Sequence, residues 1–293
     1  MLLGYGVFSD RALRSQEADG IIGFSGSLSR SRQKTILSSL VEKLKMPYVF
    51  SMCLATERGA MVLGGTIPKH LESKHWLPMS VGSSYSVSPT DFRIDGTSVG
   101  ATLSAYSGTI VDSGTTFMYL PSSAYSKVKD YYLSHCPWGD CRSRTAKGEY
   151  PDDYCYAIEP KELAGFTNYA IVFDHWELTL TPDMYMYEFK TGVYCLGVFD
   201  NKRNGIVIGG AVMRNHEVIF DVAGKRIAFL PSDCEAMHGG KRQSNLQGGF
   251  GLAGCARAPE PGRPPAPPPP PSPPPAPPSP PPSPPPSPPP PSP

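Results

Sequence analysis

The sequence predicts an all-β body decorated by a few short helices. Three observations predict it. Short apolar runs bounded by turn residues recur along most of residues 48–230. Only two segments carry helical periodicity. An Asp-Gly pair, Asp95-Gly96, sits between two short strand-like runs as a hairpin turn would. Many strands with two helices spell a β architecture with helical additions.

Taken in order, Leu2-Leu3-Gly4-Tyr5-Gly6-Val7 reads as an interior strand. Glu17-Ala18-Asp19-Gly20 then turns into Ile21-Ile22-Gly23-Phe24. Residues 31–46 read as an amphipathic helix, with Ser31 as N-cap and Ile36, Leu37, Leu40, Val41 and Leu44 on one face. Pro47 ends it. Two strands follow, over 48–54 and 60–65. Phe92–Asp95 and Thr97–Val99 form the hairpin. Pro121-Ser122-Ser123 opens a second helix through Ala124, Val128, Tyr131 and Tyr132. Residues 170–173, 176–180, 193–198, 218–221 and 226–229 complete the strands. Val207-Ile208-Gly209 echoes Ile21-Ile22-Gly23, which suggests two related lobes with the first incomplete.

The 293 residues suffice for two lobes with a core, but the tail reduces that count. From about Gly262 the chain is almost wholly Pro with Ser and Ala, leaving a foldable part of 235 to 255 residues. Residues 236–262 read as a flexible linker, with Gly248-Gly249-Phe250-Gly251 lacking the context of a nucleotide loop. Residues 263–293 must be extended polyproline II. A net charge of +1 without basic clusters gives no case for nucleic acid. No apolar run reaches membrane-spanning length. Met1-Leu2-Leu3 is too short for a signal peptide, so a natural start upstream is expected.

Seven cysteines stand at 53, 136, 141, 155, 195, 234 and 255. None forms Cys-x-x-Cys and none has zinc spacing with the six scattered histidines, so neither metal nor cofactor is expected. Dispersed cysteines in a β-rich chain read as disulfides made in an oxidising compartment, the alternative being buried free thiols. Cys255 stands outside the folded part as the odd one.

The chemistry concentrates at Gly108-Thr109-Ile110-Val111-Asp112-Ser113-Gly114-Thr115-Thr116. A hydrophobic strand runs into a hydroxyl-rich turn and resumes as Phe117-Met118-Tyr119-Leu120-Pro121. Such a turn can hold one carboxylate rigidly and still leave it facing a cleft. Metal-free peptide hydrolysis needs a base to activate water and an acid for the leaving nitrogen. Two close carboxylates sharing a proton do both, because they cannot both ionise. Hydroxyls orient each carboxyl, and glycine lets the backbone approach it. No Gly-x-Ser-x-Gly elbow competes as a nucleophile site.

Residues 109–125 resemble the second catalytic loop of plant-type pepsin-like aspartic proteases. Tyr194-Cys195-Leu196-Gly197, Ile206–Gly210, Val218–Asp221, Lys225–Phe229 and Cys234 follow in that family's order. Ala18–Phe24 and Phe50–Leu54 resemble the end of its first lobe. The resemblance spans residues 1–235. It implies a bilobal all-β acid-protease fold, with a first-lobe remnant over 1–66 and a second lobe over 67–235. It further implies that Asp112 is a catalytic aspartate of an endopeptidase acting on polypeptides. Ser113 would join the grip between two active-site loops, and Gly114 and Thr115 would orient Asp112. Gly209 would lie where a strand threads behind the loop. The implied disulfides are Cys155–Cys195, Cys53–Cys234 and Cys136–Cys141.

The departures are equally specific. The family's first Asp-Thr-Gly loop and its flap tyrosine should precede residue 1. Asp19, Asp95 and Asp221 lack the required context, so the chain alone is expected to be inactive. Position 210 is Gly where many relatives carry Asp. The Pro/Ser tract reads either as a disordered linker or as similar to hydroxyproline-rich wall glycoproteins of plants and green algae. The second reading implies association with cell wall or extracellular matrix, and a secretory, extracellular or vacuolar location. An SH3 or WW ligand would need a cytosolic setting, which conflicts with the cysteines. Two alternative functions stand beside the protease: an inactive pepsin-like binding module and a structural wall glycoprotein.

Overall fold

A computed structural model describes residues 21–26, 34–237 (except 57, 68, 70, 72–75, 151 and 152) and 250–253. Four sheets account for the named strands. The largest has the order Phe250–Ala253, Gly59–Leu63, Val49–Leu54, His216–Asp221, Arg226–Pro231, Leu77–Pro78. Its centre is an antiparallel pair in which Ser51 lies opposite Ile219. Each central strand is followed by its own hairpin partner, Gly59–Leu63 on one side and Arg226–Pro231 on the other.

Alternation sorts the sheet's faces. Phe50 and Phe220 stack at 4.6 Å on the side of the main core. Val49, Val62, Ile219, Ala228 and Leu230 form a second cluster on the other side, closed by Trp76. Within that second face Ser51 donates to the fully buried Glu217 carboxylate at 2.7 Å.

The first helix among the described residues spans Ile36–Leu44. Its N-cap is Thr35, whose hydroxyl accepts from Ser38 N–H. The expected cap, Ser31, lies outside the described residues; the described helix starts at Ile36, later than the periodicity predicts. Thr35 wins because its extended backbone and side-chain oxygen satisfy a free first-turn N–H. The left-handed Lys45 ends the helix, two residues before Pro47. The second helix, Ser122–Ser134, follows Pro121 and buries Ala124, Val128 and Tyr132, as its periodicity requires. Two four-residue helices, Pro182–Tyr185 and Gly210–Met213, add to these.

Asp95 and Gly96 both have positive φ, 50° and 71°, and join Asp91–Ile94 to Thr97–Ser98. That is the mirror-image turn that matches strand twist. The stretch read as a flexible linker departs from expectation. Phe250–Ala253 pairs antiparallel with Gly59–Leu63 as an edge strand. Four glycines nearby suppress any strand signal, yet backbone pairing needs no side chain. Leu2–Val7, Asp19, Gly20, Cys255 and the Pro-rich tract lie outside the described residues.

Three disulfides close the fold: Cys53–Cys234, Cys136–Cys141 and Cys155–Cys195. They are the pairs the resemblance implies. Cys155 and Cys195 are opposite one another in adjacent antiparallel strands. No helix among the described residues is long and apolar enough to cross a membrane.

Candidate active site

Strand Ile110–Val111 delivers the chain to Asp112, and strand Met118–Leu120 carries it away. A third strand, Val207–Ile208, runs between them. It pairs parallel with Ile110–Val111 and antiparallel with Tyr119. The Asp112 N–H donates to Ile208 O at 3.0 Å, and Gly210 N–H donates to Thr115 O at 2.7 Å. Ala211 N–H donates to Thr116 O at 2.9 Å. The aspartate loop is therefore locked on both arms to a strand from far along the chain.

The crossing demands glycine at 209. A Cβ there would lie 2.0 Å from Phe117 O and 2.7 Å from Thr115 O, both backbone atoms. Gly210 differs: its nearest neighbours stand at 3.7 Å, so a methyl group fits.

Both carboxylate oxygens of Asp112 are held. Thr115 Oγ1 donates to Oδ2 at 2.7 Å. Gly114 N–H donates to Oδ1 at 3.0 Å. A Cβ on Gly114 would come 3.2 Å from Oδ1, so glycine lets the amide reach the carboxylate. Asp112 and Thr115 are half-buried, while Ser113 and Gly114 are exposed. The carboxylate thus faces outward from a fixed loop and not into the core.

One residue of this site escaped sequence reasoning. Thr109 is fully buried. Its hydroxyl donates to Tyr106 O at 2.7 Å and accepts from Ile206 N–H at 2.9 Å. It pins the base of the entering strand to the threading segment. A hydroxyl at the head of the buried strand, between Gly108 and Ile110, is the signal that could have marked it.

The other aspartates with superficially similar sequence do different work. Asp221 is 7% exposed, accepting from Arg226 Nε at 2.7 Å and Gly224 N–H at 2.8 Å. Arg226 in turn lies over the Trp76 ring at 4.3 Å. Asp95 occupies its hairpin turn.

Aromatic rings flank the loop. Phe117 lies 4.6 Å from the Tyr187 ring and 5.5 Å from Phe199, and Tyr119 lies 5.6 Å from Phe199. Burial, and after it the Asp153 and Glu149 carboxylates, push the Tyr187 phenol above its ordinary range.

Known proteins resemble the chain in sequence and in fold. Residues 84–231 match the family model described as "Xylanase inhibitor C-terminal". Aspartic proteinase 39 of Arabidopsis thaliana is 25% identical over 227 residues, covering 74% of this chain and 46% of that protein. Aspartic proteinase nepenthesin-1 of Nepenthes gracilis is 23% identical over 161 residues, covering 54% of this chain and 34% of its own. The chain spans less than half the length of these relatives. Basic 7S globulin from soybean superposes with a TM-score of 0.55 at 20% identity, covering 69% of this chain and 56% of that one. The structure titled edgp gives 0.56 at 20% identity, covering 78% and 64%. At such identity these structures speak for the fold alone. The family match covers more than half of the chain and contains the Asp112 loop, the threading strand and Gly209, so the chain belongs to the pepsin-like aspartic protease family.

Proposed function

We propose that the chain supplies the Asp112 half of an aspartic-type endopeptidase site. The observation that carries the reading is the grip on Asp112, with one donor on each oxygen and an outward-facing mouth. A carboxylate so held can take a proton from water or return one to a leaving nitrogen without losing its position. It cannot do both at once. A second carboxylate on an equivalent loop completes the dyad, and among the described residues only Asp112 sits on such a loop. Ser113, exposed beside it, is placed to bond that second loop.

On this reading residues 1–66 would belong to a first lobe and 67–235 to the second. Three disulfides support passage through the secretory pathway. The Pro/Ser tract would hold the protein at a wall or matrix. A second reading, an inactive binding module, is favoured by the family model's description.

Asp112→Asn is the test. Peptide hydrolysis by the chain paired with a first lobe that carries the other aspartate should fall by about 10²–10⁴-fold. A statine-type transition-state mimic should block the parent. Parent-level turnover in the Asn variant would refute the reading. No statine-sensitive hydrolysis in the parent would favour the binding module.

A further inference from the structure

The sheet formed by Glu177–Leu180, Tyr169–Val172, Asp91–Ile94 and Thr97–Ser98 is separate from the one that carries Asp112. Register fixes which residues share its outer face. Thr179, Ala170 and Arg93 lie opposite one another across three strands. Two residues further along, Asp95 faces Asn168, and the Asp95 N–H donates to Asn168 O at 3.1 Å. Two residues the other way, Glu177 stands opposite Val172. The alternate positions Leu178, Leu180, Tyr169 and Ile94 are buried in the core. Side chains alternate across a strand, so the first set lies together on the outer face.

Ala170 is the small member of that set and floors a hollow. The 3₁₀ segment Pro160–Gly165 and the residues Phe166 and Thr167 after it wall one end. The result is a cleft of about 430 Å³, with Asp95, Asn168, Thr167, Thr179 and Glu177 around its lining.

Most of these bonding groups are uncommitted. The side chains of Asp95, Thr167, Asn168 and Thr179 make no hydrogen bond or ion pair among the described residues. Glu177 is the exception, since its carboxylate stands 3.5 Å from Arg93 Nη1. Asp95 can only accept, whereas the two hydroxyls and the amide both donate and accept. An anion would meet two carboxylates. An ammonium only donates, so it would leave the amide N–H and the hydroxyl protons unmatched, with Arg93 opposing it. Uncharged hydroxyls on a ring donate and accept at once, and the ring's C–H groups can rest on Ala170.

We propose that this cleft binds a neutral sugar, with Asp95 and Asn168 taking its neighbouring hydroxyls. The inference stands apart from the peptidase reading and needs neither Asp112 nor a second aspartate.

The methyl glycosides of glucose, galactose, mannose and xylose are the probes. Each is titrated against the full 293-residue chain and followed by saturation-transfer NMR. At least one should bind. Asp95→Asn removes the charge and keeps a residue that tolerates the left-handed turn, and it should weaken that binding about tenfold. Asn168→Ala should weaken it similarly from the neighbouring strand. Both residues are exposed, so melting should stay within about 2 °C of the parent and rule out misfolding. Silence from all the glycosides overturns the inference, as does undiminished binding in both variants. Methyl glucosaminide, which carries an ammonium in place of one hydroxyl, should bind less tightly than the best neutral sugar. If it binds more tightly and loses that advantage in Asp95→Asn, the cleft is a cation site and the inference falls.

Discussion

Gly209→Ala is expected to destabilise the chain by at least about 3 kcal/mol, because the added methyl collides with backbone and not with a movable side chain. The Phe117 carbonyl at 2.0 Å cannot rotate away without breaking the crossing itself. Ala211 N–H to Thr116 O and Gly210 N–H to Thr115 O would have to lengthen together. For a body of this size the loss corresponds to a fall in Tm of about 6–12 °C. Gly210→Ala is the matched control. Its neighbours at 3.7 Å leave room, and removing a glycine's unfolded-state freedom should raise stability by about 0.4–1 kcal/mol. Thermal unfolding of both variants checks the pair. A Gly209→Ala chain that melts within about 2 °C of the parent would mean the two strands do not cross so closely.

The second large effect concerns Cys53–Cys234. That bond joins residues 181 apart, whereas Cys136–Cys141 joins residues only 5 apart. A cross-link acts chiefly by restricting the unfolded chain, and the restriction grows with loop length. Replacing both Cys53 and Cys234 by alanine should cost about 5 kcal/mol, against about 2 kcal/mol for the Cys136 and Cys141 pair. Urea unfolding of the two double variants is the measurement. Equal losses, or a larger one for the short loop, would contradict the chain-entropy account. The long bond also ties the strand Val49–Leu54 to the segment just after Arg226–Pro231, so its loss should loosen the six-stranded sheet first.

How far the sequence could be read depends on the range of each interaction. Alternation fixed the faces of Glu177–Leu180 because inward and outward positions are adjacent along the chain, whereas Tyr169–Val172 buries its first three residues in a row and shows no such pattern. The Asp95-Gly96 turn was legible because its backbone demands are local. The threading of Val207–Ile208 was not legible from pattern. Two residues carry no period, and their partners are nearly a hundred positions away; only family resemblance pointed to Gly209. Thr109 was missed because its bonds go to backbone groups at 106 and 206. The neighbouring of Phe199, Tyr119, Val207 and Ile110 across three strand pairs was illegible for the same reason, since only strand register brings those residues together. The N-cap shifted from Ser31 to Thr35, since both offer a hydroxyl and nothing in the pattern ranks them.

The edge strand Phe250–Ala253 has a bearing on solubility. It occupies the outer hydrogen-bonding side of Gly59–Leu63. Without it, that strand would show open amides and carbonyls to any other chain, the usual route to intermolecular stacking. A version shortened to residue 237 would keep its disulfides and its aspartate loop, yet it would turn cloudy on concentration. Phe250–Ala253 thus covers Gly59–Leu63 and itself becomes the sheet's open edge.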